Sequence, residues 1–136
     1  MKAKNYVIVL IIEALMWAPV HAAIWRVNNV PGTGPDYTTL QAAHGAASDG
    51  DTLCVEPSLS YGDLIVTKRL VIIGPGYFLG QNPETQGNLT PAAVGTITLN
   101  SGSENTLITG LWIREQIVVN ADNIIIKRNL LKPDVS

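Results

Sequence analysis

Charged side chains are scarce in this chain of 136 residues. They make up 15% of the sequence, whereas about a quarter is usual in soluble proteins. The nine Lys and Arg residues form no run longer than two and the formal net charge is −2, so the chain lacks the basic footprint that nucleic-acid binding requires. Hydrophobic residues reach 46%, which argues against disorder. The composition predicts a folded domain that does not bind nucleic acid.

Cysteine and histidine, two common metal ligands, are also nearly absent. Cys54 is the single cysteine, so it cannot form an internal disulfide, and no second thiol or histidine lies at metal-ligand spacing from it. We interpret Cys54 as a small buried hydrophobe, with a reactive thiol as the alternative. His21 falls in the leader described next. His44 is interpreted as a half-exposed helix residue, with a catalytic role as the alternative.

The N-terminus has the three parts of a secretory signal peptide. Two lysines within the first four residues precede an apolar run at 6–12, and small side chains occupy positions −3 and −1 of a cleavage after Ala22. The pattern predicts a signal peptide over residues 1–22 and a mature domain over residues 23–136, secreted or at the cell surface. An uncleaved anchor is the alternative, and no membrane contact is expected beyond this segment.

A short helix is predicted for residues 37–48. Leu40, Ala43 and Ala47 follow a helical spacing and form one apolar stripe, so the helix can lie close against the element that it covers. The candidate N-cap residues are Asp36, Thr38 and Thr39, and Asp49-Gly50 is expected to end the helix. We expect this helix to cap the open end of a β-structure, where it would cover strand edges.

The rest of the chain has the pattern of short β-strands. Apolar β-branched runs alternate with Gly, Asn, Asp, Ser and Pro, and no second helix is expected after residue 51. Strands are predicted at 24–28, 52–56, 64–66, 70–73, 96–99, 106–109, 117–119 and 124–126. Runs of three to five residues are shorter than the strands of an ordinary β-sandwich. They favour a solenoid.

A recurrence of 18 residues supports the solenoid. Residues 105–108 align with residues 123–126, and each segment begins with an asparagine, which tolerates a left-handed backbone at a corner. Such spacing predicts strands that stack in register on the next coil. The expected fold class is therefore all-β: a right-handed parallel β-helix of about three to four coils with a short N-terminal capping α-helix.

Residues 37–76 resemble the N-terminal portion of the pectin-lyase-like β-helix superfamily, which includes pectin methylesterases and pectate lyases. The resemblance rests on a helix that ends in the turn "DGDT", on a corner with Tyr61, and on the segment "IVTKRLVIIGPG". These motif residues are structural. The resemblance implies that catalytic groups lie in later coils, so no catalytic residue transfers to this chain.

No catalytic, cofactor-binding or metal-ligating residue is therefore predicted, and no cofactor. Asp49 and Asp51 are interpreted as a helix-ending turn rather than a calcium loop, and Asp63 as a solvated corner. Glu56 has no second carboxylate at a defined spacing for acid–base chemistry. The aromatic residues Trp25, Trp112, Tyr61 and Tyr77 are interpreted as core or corner packing, with a sugar-binding surface as the alternative.

Three function classes stay open. A structural, surface or adhesion-type module without catalysis ranks first, polysaccharide binding second, and a fragment of a pectin- or uronate-active enzyme third. The sequence shows no polar capping unit after residue 129, which would be expected of a complete solenoid. We therefore expect either a truncated member of a longer family or self-association or a partner at the last coil.

Overall fold

The computed structural model describes residues 21–76, 79–81 and 87–132. The predicted signal residues 1–20, Tyr77 and the last four residues lie outside these ranges. Within them the chain is mostly β, with one α-helix, α1 (Leu40–Ala46), and one 3-10 turn (Leu79–Gln81). The strands are β1 (Ile24–Val27), β2 (Thr52–Val55), β3 (Leu64–Val66), β4 (Val71–Ile73), β5 (Ala93–Val94), β6 (Ile97–Leu99), β7 (Leu107–Thr109), β8 (Trp112–Ile113), β9 (Ile117–Val119), β10 (Ile125–Lys127) and β11 (Leu130–Leu131).

All strand pairs are parallel and belong to three sheets. Sheet I has the order β1-β2-β4-β7-β10, sheet II the order β3-β6-β9, and sheet III the order β5-β8-β11. From β4 onward the chain passes through sheets I, III and II in a repeated order. In the described part of the chain, each sheet has one edge formed by its last strand, β9, β10 or β11, and the apolar residues Ile125 and Leu131 of these strands are about half exposed.

The predicted 18-residue recurrence is confirmed. Leu107 in β7 pairs with Ile125 in β10, and Ile108 pairs with Ile126. Asn105 and Asn123, the equivalent corner residues, have φ values of 63° and 57°. Asparagine adopts this left-handed conformation more readily than most residues, which explains its place before both strands.

The core consists of side chains stacked along the registers. Leu53, Ile72 and Ile108 occupy matching positions of β2, β4 and β7 and are fully buried. Leu99 of sheet II and Ile113 of sheet III are also fully buried and belong to the same cluster. Because strand residues alternate between the two faces of a sheet, one short β-branched run supplies both a core residue and a surface residue.

Sheet III was absent from the sequence prediction. Its strands have two residues each, which is too short for a periodic pattern to be recognised. No further helix was expected after residue 51, and this expectation was wrong as well, because one 3-10 turn lies at Leu79–Gln81. The other strand bounds agree with the prediction to within one residue.

The helix α1 is shorter than predicted, but its stripe is confirmed. Thr39 is the N-cap, and its side-chain oxygen accepts a hydrogen bond from the backbone N–H of Ala42 at 3.2 Å. Leu40, Ala43 and Ala47 are buried against β1, β2 and β3. None of the helices in the described residues has the length and apolar character needed to cross a membrane.

Candidate functional site

A groove of about 510 Å³ lies where the strands of sheet III lead into those of sheet II. Its lining residues are Ser60, Gly62, Asp63, Ala93, Gly95, Arg114, Glu115 and Gln116. They come from three successive passages of the chain through this corner, and most of them carry polar or very small side chains. The groove therefore forms only when these three parts of the chain stack on one another, and no single sequence segment contains all of its residues.

Two glycines, Gly62 and Gly95, form part of the corner at the groove. Gly62 has a φ of 72°, which other residues rarely adopt, and its carbonyl accepts a hydrogen bond from the backbone N–H of Gly95 at 2.8 Å. A Cβ atom on Gly95 would collide with Oδ1 of Asp63. Any larger residue at position 95 would displace the carboxylate of Asp63 from the groove.

Thr96 holds both acidic side chains of the groove. Its backbone N–H donates to Oδ1 of Asp63 at 2.8 Å, and its hydroxyl donates to Oε2 of Glu115 at 2.7 Å. Within the described residues, the other oxygen of each carboxylate accepts no hydrogen bond. Two exposed carboxylates with fixed positions can therefore accept hydrogen bonds from an external donor.

Arg114 brings a positive charge to the groove beside an aromatic ring. Its guanidinium carbon lies 5.9 Å from the centre of the Trp112 ring, within the range of a cation–π contact. Trp112 pairs in register with the groove residue Ala93, so both side chains leave sheet III on the same face. The groove thus combines two carboxylates, one guanidinium and an adjacent indole.

The sequence identified only part of this groove. Asp63 was predicted as a solvated corner, and it is exposed at that corner. Arg114, Glu115 and Gln116 were not singled out, because the three residues follow a two-residue strand that has no recognisable pattern. Aligning residues 112–117 with residues 93–97 through the strand registers would have placed them opposite Gly95 and Thr96.

Two of the aromatic candidates are confirmed as packing residues. Trp25 lies against the core and contacts the Tyr37 ring edge-on at 5.6 Å between ring centres. Tyr61 is buried, and its hydroxyl lies 3.0 Å from the carbonyl of Val27 and 2.8 Å from that of Glu56. Burial raises the pKa of Tyr61 to about 12. Of the three candidates that the structure describes, Trp112 is the one that lies beside the groove, next to Arg114.

The carboxylate of Glu56 binds side chains of β1 and of the residue that follows it, at the β1 edge of sheet I. Its carboxylate pairs with Nε of Arg26 at 2.6 Å and accepts a second hydrogen bond from the Asn28 amide at 2.7 Å. The Arg26 hydrogen bond, followed by that of Asn28, lowers the pKa of Glu56. This pairing ties β1 to the end of β2, which is a structural role.

The turn after α1 is organised by Asp51, a buried residue with 4% exposure. Its carboxylate accepts hydrogen bonds from the backbone N–H groups of Ser48 and Ala23 and from the indole N–H of Trp25. These three hydrogen bonds, that of Ser48 first, lower the pKa of Asp51. Asp49 accepts from the backbone N–H of Arg69 at 3.0 Å. Both aspartates serve the turn after α1, but the helix itself ends at Ala46 with Ala47 as its C-cap, so the prediction that Asp49-Gly50 ends the helix was wrong.

His44 is buried, with 5% exposure, and the prediction of a half-exposed residue was wrong. Its Nε2 accepts a hydrogen bond from the backbone N–H of Thr67 at 3.0 Å, and its Nδ1 lies 3.5 Å from the Gln41 amide nitrogen. Gln41 in turn bonds to both the N–H and the carbonyl of Ile65. Side chains of α1 thus satisfy backbone groups along β3, which the sequence pattern could not reveal.

The ammonium of Lys68 binds the backbone carbonyls at the C-terminal end of α1. Nζ donates to the carbonyls of His44 and Gly45 at 2.9 Å each and to that of Ala47 at 2.6 Å. A cation at a helix C-terminus is also favoured by the helix dipole. Lys68 and His44 together therefore fasten α1 to the chain segment between β3 and β4.

Stability is expected to fall as the pH is lowered from 7 to 5. Burial, and then the charge of Lys68, lower the pKa of His44 below the ordinary value of 6.5. The unfolded chain then binds more protons than the folded one below pH 6.5, so stability is full above that pH and is lost below it. Urea unfolding should show this loss between pH 7 and 5.

The matched variant for this pH effect is His44→Gln. A glutamine can offer an acceptor oxygen near the position of Nε2 but does not titrate. The variant should lose most of the dependence between pH 7 and 5. An unchanged dependence would show that His44 is not its source.

Cys54 is half-buried, and the expectation of a buried hydrophobe was wrong. Its register partners are Arg26 and Ile73, both exposed, so the thiol lies on the outer face of sheet I. In the described part of the chain, no group of three or more His, Cys, Asp or Glu side chains is arranged to hold a metal ion.

Comparisons of the chain with protein-family models, with curated proteins and with solved structures found no match. The resemblance to pectin-lyase-like proteins therefore stays a prediction from the sequence. The groove and the fastened helix are the features on which a functional proposal can be based.

Proposed function

We propose that the chain is an exported right-handed parallel β-helix whose function is adhesion: it holds a polysaccharide without transforming it. The repeated order of the three sheets, the parallel registers and the stacked core side chains support the β-helix. Export is supported by the predicted signal peptide. The corner groove is the observation that carries the binding function.

A saccharide matches the chemistry of the groove. Vicinal hydroxyls can donate to the second oxygens of Asp63 and Glu115, while Thr96 holds the first oxygens in place. Gln116 adds a side chain that both donates and accepts. Ligand sites commonly combine such a small set of fixed polar groups with an apolar or aromatic surface, which Trp112 supplies here.

The charge of the groove favours a neutral saccharide over a polyuronate. Asp63 and Glu115 contribute two negative charges and Arg114 one positive charge. A uronate would bring a further carboxylate close to two others, and like charges in a concave site repel each other. We therefore expect a neutral polysaccharide to be preferred, although the family that the sequence resembles includes enzymes that act on pectin.

The test is affinity electrophoresis and calorimetry of the purified chain with neutral glucans and galactans and with polygalacturonate. Neutral polymers should retard or bind the chain more strongly than polygalacturonate. Asp63→Asn and Glu115→Gln should each weaken this binding by about 10- to 150-fold, because a hydrogen bond to a charged acceptor contributes about 1.5–3 kcal/mol.

The matched control is Asp49→Asn, which removes the same charge outside the groove from a carboxylate that also accepts a backbone N–H. It should bind like the unaltered chain. Loss of binding in the control as well would assign the effect to net charge. If the chain binds neither the neutral polysaccharides nor polygalacturonate, the adhesion proposal is overturned.

A further inference from the structure

Both backbone polar groups of Ala23, at the beginning of the described domain, form hydrogen bonds. Its backbone nitrogen lies 2.7 Å from Oδ1 of Asp51, and its carbonyl accepts a hydrogen bond from the N–H of Thr52 at 2.8 Å. The two preceding residues, His21 and Ala22, are exposed. The bond between Ala22 and Ala23 is thus next to an anchored nitrogen, and it is the bond that the signal pattern predicts to be cleaved.

We propose that cleavage after Ala22 creates an α-ammonium group on Ala23 that forms an ion pair with Asp51, so that removal of the signal peptide locks the N-terminal cap. The inference rests on the proposed export. Hydrolysis by a signal peptidase adds the hydroxyl of water to the Ala22 carbonyl and its hydrogen to the Ala23 nitrogen. The new amine then takes up a proton from water at neutral pH.

The surroundings of Asp51 suit a single positive partner. Its carboxylate is buried and already accepts from Ser48 at 2.9 Å and from the Trp25 indole at 3.0 Å, so its position is fixed before cleavage. Before cleavage the Ala23 nitrogen supplies a neutral N–H, and afterwards the same nitrogen supplies a charged donor at the same place. A charge-assisted hydrogen bond is about twice as strong as a neutral one.

Four other ionisable groups belong to the elements around this turn. Lys68 acts on Asp51 through its charge, but its Nζ is bound to the carbonyls at the end of α1. The side chains of Asp49, Arg69 and His44 belong to the same end of the domain: Asp49 accepts from the Arg69 backbone, and His44 accepts from Thr67. The described residues thus supply three neutral donors to Asp51, and the processed N-terminus would replace one of them by a cation.

The ion pair would connect three segments. Ala23 leads into β1, Ser48 follows α1, and Asp51 leads into β2. Strengthening the contact between Ala23 and Asp51 therefore stabilises the helix turn and the first two strands of sheet I together. The effect is conditional on pH: it is present below the ordinary α-amino pKa of about 8 and is lost as the pH rises through the raised value of the folded chain.

The experiment compares two mature chains that differ by one residue. One begins at Ala23 and the other at Ala22, each released from a fusion by a protease that leaves no extra residue. Both carry one α-ammonium group and an intact Asp51, but only the first places the ammonium at the carboxylate. At pH 7 the chain that begins at Ala23 should have a folding equilibrium constant about tenfold higher, which corresponds to one unit of pKa. The difference should disappear at about pH 10.5.

Two further measurements separate the outcomes. Titration of the chain labelled with ¹⁵N at Ala23 should give an α-amino pKa above about 8, and an ordinary or lower value would overturn the ion pair, as would equal stability of the two chains at pH 7. N-terminal sequencing of the product exported by a bacterial host tests cleavage independently. A first residue other than Ala23 would overturn the proposed processing, even if the ion pair forms in the engineered chain.

Discussion

Replacing Gly110 by alanine is expected to lower the free energy of unfolding by about 3–5 kcal/mol, a large part of the about 5–15 kcal/mol that stabilises a typical domain. Gly110 has a φ of 76°, and a Cβ atom there would lie 2.5 Å from the carbonyl oxygen of Gly74. The neighbour is backbone, so it cannot move aside as a flexible side chain would. The corner also carries hydrogen bonds from Gly76 to Gly110 and from Gly110 to Arg128, which any shift would weaken.

The control is a glycine in open space. Gly45 lies within α1, and a Cβ atom there would meet nothing within 4 Å. Gly45→Ala should raise stability by about 0.5–1 kcal/mol, because alanine favours the helix. Urea unfolding followed by circular dichroism measures both variants. Equal stability of Gly110→Ala and the unaltered chain would show that the two corners do not approach as closely as described.

Lys68→Met is expected to lower the free energy of unfolding by about 2–3 kcal/mol. The methionine keeps most of the apolar stem but removes the ammonium that donates to the carbonyls of His44, Gly45 and Ala47. The end of α1 then has three carbonyls without their charged donor, so the helix should loosen from the β-structure before the sheets unfold.

Hydrogen exchange measured by mass spectrometry locates this effect. Exchange should rise in residues 40–47 and along β3. The reason is that Gln41 of α1 accepts a hydrogen bond from the backbone of β3, and His44 accepts one from Thr67, the residue after β3. Lys127→Met, an exposed lysine on β10, serves as the control and should change stability by less than about 0.5 kcal/mol. Exchange that rises equally over all three sheets would contradict a local role for Lys68.

These two predictions give a physical reason for residues that the family resemblance identified only by pattern. Lys68 and the glycines of Gly74-Pro75-Gly76 belong to the segment that resembles pectin-lyase-like proteins. In the fold, the lysine binds the carbonyls at the end of α1, and Gly74 permits the close approach of Gly110 from the next passage of the chain. Both roles are structural, as the sequence interpretation expected.

Several features followed from the sequence because their causes are local. The spacing of Leu40, Ala43 and Ala47 predicted a buried helix stripe, since side chains three, four and seven residues apart share a helix face. The matching asparagines at 105 and 123 predicted the strand pairing of β7 with β10, since a repeated corner conformation sets the length of the repeat.

The errors share a cause as well. Sheet III was missed because two residues cannot show an alternation, and its strands are recognisable only from their partners. The burial of His44 was missed because its acceptor nitrogen is matched by the N–H of Thr67, 23 residues later in the chain. Hydrogen bonds between distant residues leave no trace in a local pattern.

The sequence by itself determined the helix α1, most of the strands and the repeat of 18 residues, and it predicts the cleavage after Ala22. Only the tertiary structure decided which polar groups meet. Asp63 and Glu115 meet at Thr96, and Ala23 meets Asp51, because stacked parallel strands bring together residues 19 to 33 positions apart. Local propensity fixes the elements, whereas the stacking register fixes the groove and the contact of Ala23 with Asp51, from which the functional proposals follow.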